Sequence, residues 1–229
     1  DFHWLPVIIK ADLLDGVAKD YSYLKELNNN IKIYNSFYPQ FKFFRNDRTN
    51  IHKNIRVLRK NSRFINNLIQ LIKTLIFIPD RNVVWLPFAL IRAIKVIKKD
   101  KIDLIYTTSN PYTDHLVGYV LKMLTGKPWV ADFRDPWTDD PRHSNLYYQA
   151  LFGKCRKKID LVLEKMVIRY ADRVVGTTEE IVVSFLKRYP KDAQGKYMPI
   201  TNGYDEEDFL GQRKCLSRED GRFTICYSG

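Results

Sequence analysis

The chain has 229 residues, 45% of them hydrophobic and 28% charged, and carries a formal net charge of +12. This is the composition of a globular protein large enough to bury a core, and it excludes a disordered or fibrous chain. The longest apolar runs, such as Val83 to Ile91, are far short of the roughly 20 residues that a membrane-spanning helix needs. The three cysteines form no Cys-x-x-Cys pair and have no histidines at metal-ligand spacing. We therefore expect a reduced, cytoplasmic protein without a metal site.

The positive charge is concentrated in one part of the chain. From Lys42 to Lys101 there are 15 lysines and arginines against three aspartates, which accounts for the whole excess of 12, and the remainder holds 23 basic and 23 acidic residues. A localised excess of this kind favours an anionic partner surface over general solubility.

The first elements are short. Pro6 to Lys10 is predicted to be a strand, Tyr23 to Leu27 a short helix, and Ile31 to Phe37, where apolar and polar residues alternate, a second strand. A much longer element follows them.

An amphipathic helix is predicted from Ile51 to Ile76, where apolar residues recur at steps of three and four. Cations repeat the same step on another face: Lys53, Arg56, Lys60 and Arg63. A basic face beside an apolar stripe suits a helix that lies on an anionic membrane surface, because acidic lipids attract each cation by about 1 kcal/mol. The alternative is a solvated basic face on a helix that packs against the core, and the sequence leaves both open.

Helices and strands alternate after a break at Asp80-Arg81. Strands are predicted from Ile102 to Thr108, from Trp129, from Arg173 to Gly176 and from Tyr197 to Ile200. Helices are predicted from Phe88 to Lys99, from Pro111 to Gly126, and from Leu146 to Tyr170 with an interruption near Gly153. Asn110 is expected to be the N-cap of the helix that has Pro111 at its first position. Thr177 to Glu180 is predicted to start a further helix, and Asn202-Gly203 to make a tight turn.

Strands that alternate with helices predict βαβ units and an α/β fold with a mostly parallel sheet. Because the crossovers are right-handed, the carboxyl ends of the strands share one edge, where open α/β sheets bind ligands. Four loops leave that edge: Ser109 to His115, Asp132 to Trp137, Thr177 to Glu180 and Asn202 to Asp205. The second of them continues the strand that opens at Trp129 and is rich in charged and aromatic groups.

Together these segments resemble the amino-terminal domain of retaining glycosyltransferases of the GT-B fold, family 4. The matching segments are Ile102-Asp-Leu-Ile-Tyr-Thr-Thr-Ser-Asn-Pro, Gly126-Lys-Pro-Trp-Val-Ala-Asp-Phe-Arg-Asp-Pro-Trp, Ala171-Asp-Arg-Val-Val and Ile200-Thr-Asn-Gly-Tyr-Asp. The resemblance implies a Rossmann-like parallel sheet with helices on both faces. It also implies transfer of a sugar, with retention and without a metal or other cofactor, from a nucleotide-sugar donor to a glycan or lipid-linked acceptor.

The resemblance also implies how the chain is divided. Residues 1–210 are expected to form the acceptor-side domain, and residues 211–229 a linker and the first strand of a donor-binding domain. Relatives begin with a strand and a glycine-rich loop that approaches the donor phosphates, and this chain starts after that point. We therefore expect a fragment of a longer, cytoplasmic protein, peripheral on the inner face of the cell membrane and inactive alone.

The charged loop from Asp132 to Trp137 is the expected centre of the chemistry. Sugar transfer requires charge compensation for the leaving diphosphate and a group that orients the incoming hydroxyl. Arg134 is predicted to contact donor phosphate or an anionic acceptor, and Asp135 or Asp132 to orient the acceptor hydroxyl. The alternative for Arg134 is an ion pair with either aspartate. Many family members have a histidine at the position of Arg134, so the role of that histidine does not transfer unchanged.

Three further residues near this edge are candidate contacts to the acceptor: Asn110, His115 and Trp137. Each has a structural alternative. Asn110 can be a helix cap, His115 a structural histidine of its helix, and Trp137 a lid on the core instead of a platform that stacks on sugar.

Two other functions remain open from the sequence. A sugar-nucleotide epimerase or hydrolase on the same fold would turn over its substrate without an acceptor. A nucleic-acid-binding module that uses residues 42–101 would lose affinity steeply with salt. The chain shows no RNA-binding signature, and its aromatic residues are not regularly interleaved with the basic run.

Overall fold

A computed structural model describes residues 7–11, 31–39, 67, 71, 75–139, 152–190, 195–204 and 206. Several predictions from sequence lie outside these residues. They are the short helix from Tyr23 to Leu27, the basic face formed by Lys53, Arg56, Lys60 and Arg63, the linker at 211–222 and the strand at 223–229.

Four parallel strands form the central sheet. They are β3 (Ile105–Ser109), β4 (Trp129–Phe133), β5 (Arg173–Gly176) and β6 (Tyr197–Pro199), and they pair in the order of the chain. Thr108 is paired with Asp132, and Asp132 with Val175. The α/β class and the parallel sheet predicted from sequence are therefore confirmed, and the carboxyl ends of all four strands lie at one edge. Strand β4 is two residues longer than its apolar start indicated and contains Asp132.

Two further strands form a separate parallel pair in the described residues: β1 (Val7–Ala11) and β2 (Lys32–Ser36). Both were predicted. The pair is linked to a helix of the main body through Asp100, whose carboxylate accepts hydrogen bonds from Lys32 Nζ at 2.7 Å and Tyr34 Oη at 2.8 Å. The bond from Lys32 is the largest cause that lowers the pKa of Asp100.

A 3₁₀ turn (Arg81–Trp85) leads into helix α1 (Leu86–Asp100), and the later helices are α2 (Thr113–Thr125), α3 (Gly153–Tyr170) and α4 (Glu179–Arg188). Gly126 ends α2 in the left-handed conformation, with φ +68°, as expected of a glycine after a helix. Thr178 caps α4 by accepting a hydrogen bond from Ile181 N, which confirms the predicted start. Among the described helices, none combines the length and the apolar character needed to cross a bilayer.

The described core lies against one face of the sheet. Alternate strand residues on this face pack with residues from all four helices. The strand residues are Ile105, Trp129, Ala131, Phe133 and Val174, and the helix residues are Ala89, Ala93, Val117, Leu121, Val167, Ile168 and Phe185. On the opposite face Tyr106 and Met198 are 55% and 51% exposed. The predicted flanking helices are therefore shown on one face in the part of the chain that the structure describes.

Gly118 sets the distance between α2 and the sheet. A Cβ at this position would lie 2.4 Å from Nε1 and 2.5 Å from Cε2 of Trp129, and 2.8 Å from Cγ2 of Thr107. The indole has little freedom to move away, because it is fully buried and its Nε1 donates a hydrogen bond to Thr107 Oγ1 at 2.9 Å. Only glycine permits this approach of helix and strand.

We expect Gly118→Ala to lower the free energy of unfolding by about 2 kcal/mol. Overpacking a core costs about 1–3 kcal/mol, which outweighs the gain of about 1 kcal/mol in helix propensity. Urea denaturation measures the change, and Gly203→Ala is the control because nothing lies within 4 Å of the Cβ it would add. If Gly118→Ala were as stable as the wild type, Trp129 would not limit the approach of α2.

Candidate functional site

The carboxyl edge of the sheet brings together polar side chains from loops that are far apart in the sequence. Asn110 follows β3, Arg134 and Asp135 follow β4, and Asn202 follows β6. Hydrogen bonds join Arg134 to Asp132 and Asn202, and Asn110 to Asp135, and the two groups are neighbours because Asp135 follows Arg134 in the chain. Together they are called the constellation below. The prediction that these loops meet at one edge is confirmed.

The guanidinium of Arg134 is held from two sides. Its Nε donates to Asp132 Oδ2 at 2.9 Å, and its Nη1 donates to Asn202 Oδ1. The ion pair with an aspartate, which was the alternative named for Arg134, is therefore present. Its side chain is nevertheless 45% exposed. Two of its five N–H groups are used in the described part of the chain, so three remain to bind a ligand.

The backbone of Arg134 is held as well. Its N–H donates to Ser109 Oγ at 3.3 Å, and its carbonyl accepts from Thr177 Oγ1 at 2.9 Å. Thr177 N also donates to Phe133 O at 3.2 Å, which extends the pairing of β4 and β5 past the end of the sheet. The last residue of β3 and the first residue after β5 thus fix the point at which the chain leaves β4.

Asp132 lies below Arg134 and is only 1% exposed. Its Oδ2 accepts from Thr108 Oγ1 at 2.9 Å as well as from Arg134 Nε. Tyr106 lies on the same face of β3 as Thr108. Partial burial of its phenol, then its hydrogen bond with Asp132 and the charge of that carboxylate, raise the pKa of Tyr106 to about 12. This placement corrects the expectation that Asp132 meets the acceptor directly, because a buried carboxylate with these partners positions Arg134 instead.

Asn110 and Asp135 form a second part of the constellation. Asn110 Nδ2 donates to Asp135 Oδ2 at 2.8 Å, and this contact lies in exposed surroundings. The expectation that Asn110 caps α2 is wrong, since the helix begins at Thr113 and no side chain caps it from the preceding residue, Tyr112. Asn110 is therefore free of a capping role and available at the edge together with Asp135.

Asp80 supplies the cap that Asn110 does not. Its Oδ2 accepts from Thr113 N at 2.9 Å and its Oδ1 from Thr113 Oγ1 at 2.8 Å, while Oδ1 also accepts from Asn82 N at 2.9 Å. One carboxylate thus begins both the 3₁₀ turn and α2. It occupies the donors that α2 would otherwise offer to an anion at this edge.

His115 does not reach the edge surface. Its ring is 0% exposed, packs on Phe133 with ring centroids 4.5 Å apart, and places Nδ1 2.9 Å from Thr107 Oγ1. Burial lowers the pKa of His115 to about 3, so the ring is neutral at neutral pH. This corrects the expectation of an acceptor contact and matches the alternative of a structural histidine.

Trp137 is also a core residue. It is 1% exposed and stacks on Tyr112, with ring centroids 4.6 Å apart and an angle of 9° between the rings. The Tyr112 hydroxyl donates to Pro136 O at 3.2 Å and ties the start of α2 to the loop after β4. A stacking platform for sugar needs an exposed ring face, so the alternative of a lid on the core describes Trp137 correctly.

A buried network fixes the far end of the same loop. Glu164 of α3 is 0% exposed and accepts from Thr138 N and Thr138 Oγ1 at 2.9 Å each, from Tyr189 Oη at 2.8 Å and from Arg188 Nη1. Arg188 also pairs with Asp139. The loop after β4 is therefore anchored to both α3 and α4, which leaves Arg134 and Asp135 on a rigid support.

The described surface also has a depression that does not belong to this constellation. An open depression of about 660 Å³ beside α4 is lined by residues that include Asp139, Glu180 and Arg188. None of its lining residues contacts Arg134 in the hydrogen bonds given above. No three His, Cys, Asp or Glu side chains in the described ranges converge as metal ligands would.

Several members of the constellation were not singled out from the sequence. Thr108 was predicted to be the last residue of a strand, Ser109 the first residue of a loop, and Thr177 the first residue of the segment that starts a helix. Asn202 was predicted to lie in a tight turn, which the structure does not show at that position. Each is a small polar residue at the carboxyl end of a predicted strand, and that position was the available signal. Asp80 lies 33 residues from the helix it caps, and nothing local in the sequence indicates this partner.

Comparison with known proteins adds no relative to this description. No model of a protein family matches the chain, and no curated protein matches its sequence. The function is therefore argued from the constellation at the sheet edge.

Opposite pH dependences are expected from Asp114 and His115. Burial, and then the charge of Asp80, raise the pKa of Asp114 to about 7. Below pH 7 the folded state therefore holds a proton that the unfolded state has lost, and this contribution to stability falls as the pH rises from about 3.8 to 7. For His115 the unfolded state binds the extra proton, so its contribution falls as the pH drops from about 6.5 to 3.

Single variants separate the two effects. Relative to the wild type, we expect the free energy of unfolding of Asp114→Asn to fall as the pH is lowered from about 6.5 to 4.5, by up to about 1.4 kcal/mol per pH unit. His115→Gln should change in the opposite direction, because only Asp114 then titrates. Urea denaturation across this range measures both. Parallel curves for the two variants and the wild type would contradict the pKa directions of both groups.

Removal of Arg188 should destabilise the fold strongly. Arg188→Met leaves the buried carboxylate of Glu164 without its cation, and we expect a loss of about 3 kcal/mol in the free energy of unfolding. The double variant Glu164→Gln/Arg188→Met should lose less, because no uncompensated charge remains. Lys122→Met is the control, since its partner Asp172 is 45% exposed and such pairs contribute less than about 1 kcal/mol. Equal losses for Arg188→Met and Lys122→Met would show that the network does not hold the loop.

Proposed function

We propose that this chain is the acceptor-side domain of a retaining glycosyltransferase of the GT-B fold, which transfers a sugar from a nucleotide-sugar donor to a glycan or lipid-linked acceptor at the cytoplasmic face of a membrane. One observation supports this most strongly. A half-exposed arginine is held by Asp132 and Asn202 at the carboxyl edge of a parallel sheet, beside an exposed carboxylate–amide pair. That edge is where α/β folds of this kind bind nucleotides and their partners.

The proposed role of Arg134 is to compensate charge on the leaving diphosphate. Departure of the nucleoside diphosphate from the sugar leaves an oxocarbenium-like centre and an additional negative charge on phosphate oxygen. A guanidinium fork matches the spacing of two phosphate oxygens and binds them more strongly than a neutral donor would. The bond from Nε to Asp132 fixes the plane of the fork, and the remaining N–H groups serve the phosphate.

Asp132 acts in this mechanism as a positioning residue. Its charge is buried and directed to Arg134 Nε and Thr108 Oγ1. It keeps the guanidinium in one orientation before the donor binds, so less conformational entropy is lost when the phosphate is bound.

Asp135 and Asn110 are the proposed contacts to the acceptor. A sugar hydroxyl both donates and accepts hydrogen bonds, and the pair offers a carboxylate that accepts and an amide that does both. Asp135 orients the attacking hydroxyl by accepting its hydrogen bond, and Asn110 holds the carboxylate through Nδ2. His115 and Trp137 support the site from the core and do not touch the acceptor.

The activity is tested with the intact protein and a panel of nucleotide sugars, each supplied with and without glycan and lipid-linked acceptors. Transfer that requires an acceptor and retains the anomeric configuration supports the proposal. Turnover of the nucleotide sugar alone, at an equal rate, would contradict it in favour of an epimerase or hydrolase.

For Arg134→Ala we expect turnover to fall by roughly 10²–10³-fold, because one preorganised charge contact to the transition state is lost. Arg134→Lys should recover part of this, since it keeps the charge but not the fork. Inhibition by inorganic pyrophosphate should weaken in parallel, which identifies phosphate as the group that Arg134 binds.

Arg173→Ala is the matched control. Arg173 is an exposed arginine at the first residue of β5, at the opposite edge of the sheet, and donates through Nη1 to Asp172 O at 3.1 Å. We expect its turnover to equal that of the wild type. An Arg134→Ala protein with unchanged turnover would leave Arg134 with a purely structural role.

A further inference from the structure

The charges of α3 are divided between its two faces. The helix contains two acids, Asp160 and Glu164, which are 2% and 0% exposed. Both acids are compensated from inside the protein, Asp160 by Arg156 Nε at 3.5 Å and Glu164 by Arg188. The acids therefore neutralise nothing on the outer face of the helix.

The outer face of α3 carries a basic stripe, formed by Lys154, Lys158, Val162, Lys165 and Arg169, all of them exposed. Their spacing of three and four residues keeps them within about a quarter of the helix circumference, opposite the buried face. None of the four cations forms an ion pair with a residue in the part of the chain that the structure describes. Lys196 adds a cation at the carboxyl end, where its Nζ donates to Arg169 O at 2.8 Å.

We infer that the basic stripe binds the surface of an anionic lipid bilayer. Helix α3 has 18 residues, so the stripe is nearly straight over about 27 Å and all its cations can meet one flat surface together. Val162, which is 65% exposed in the middle of the stripe, suits the boundary between headgroups and acyl chains.

A membrane fits the stripe better than a nucleic acid does. Phosphate backbones are contacted by cations and polar groups, and single strands also by stacked aromatic rings. The centre of the stripe instead presents an aliphatic side chain, and no ring lies among its five residues. The stripe consists of other residues than the predicted basic face at 53–63, which lies outside the described residues.

The inference does not rest on sugar transfer, because vesicle binding is measured without turnover. The full chain is sedimented with vesicles of phosphatidylcholine alone and of phosphatidylcholine mixed with phosphatidylglycerol. We expect binding to the anionic vesicles only, and a loss of binding as salt is added. Lys158→Gln/Lys165→Gln should lower the partition coefficient by about 25-fold, at about fivefold for each cation removed.

Lys95→Gln/Lys98→Gln is the matched control, because it removes the same number of exposed lysines from a different helix, α1. It should bind anionic vesicles almost as well as the wild type. An equal loss in both double variants would overturn the inference, since it would show an effect of net charge only. Equal binding of the wild type to both kinds of vesicle would also overturn it. If the α3 variant lost affinity for duplex RNA or DNA but kept its vesicle binding, the stripe would be a nucleic-acid surface instead.

Discussion

The contact between the indole of Trp129 and the backbone of Gly118 governs the rest of the structure. It sets how closely α2 lies on β3 and β4, and Thr107 fixes it by accepting the indole N–H. The carboxyl ends of the same two strands carry Ser109 and Arg134. A core contact about four residues away from the sheet edge therefore determines the relative positions of the groups that meet there, and packing of this density leaves little room for them to adjust.

Buried acids that pair with arginines recur in the described part of this fold. Asp132 holds Arg134, Glu164 holds Arg188, and Asp160 holds Arg156. Each pair has a large desolvation penalty, which the added hydrogen bonds to the carboxylates offset only in part. What such pairs provide is orientation, because the direction of each guanidinium is set by an acid that cannot move. All three acids are thereby withdrawn from the surface, whereas the exposure of the arginines differs: 45% for Arg134, 22% for Arg188 and 12% for Arg156.

The elements and their order were predictable because they depend on local signals. The Gly-Lys-Pro turn before Trp129 marked a strand, Gly126 marked a helix end, and Thr178 marked a helix start. Contacts between distant residues were not predictable. The sequence alone does not give the register that sets Thr108 opposite Asp132, or the partner of Arg134 at Asn202. Asn110 was predicted to be a cap because it precedes Pro111 in the sequence. In the structure Asp80, which is distant in the sequence, caps the helix at Thr113. The burial of His115 is explained by Gly118, which lies three residues later on the same face of α2. A helix face that needs glycine to approach a sheet also buries the other residues on that face.

The two anchors of Arg134 differ in their resistance to local unfolding. Asp132 belongs to β4, which is hydrogen-bonded to β3 and to β5, and a strand paired on both sides is expected to resist local opening most strongly. Asn202 follows β6, a three-residue strand that pairs only with β5 in the described residues, and its Met198 and the following Ile200 are each 51% exposed. A short strand with exposed side chains is expected to open at a lower free energy than the whole domain, and its opening would break the bond to Nη1 but not the bond to Nε. We therefore expect the bond from Nη1 to Asn202 to open before the bond from Nε to Asp132, which would leave the guanidinium with one more N–H group for a ligand while its orientation is kept.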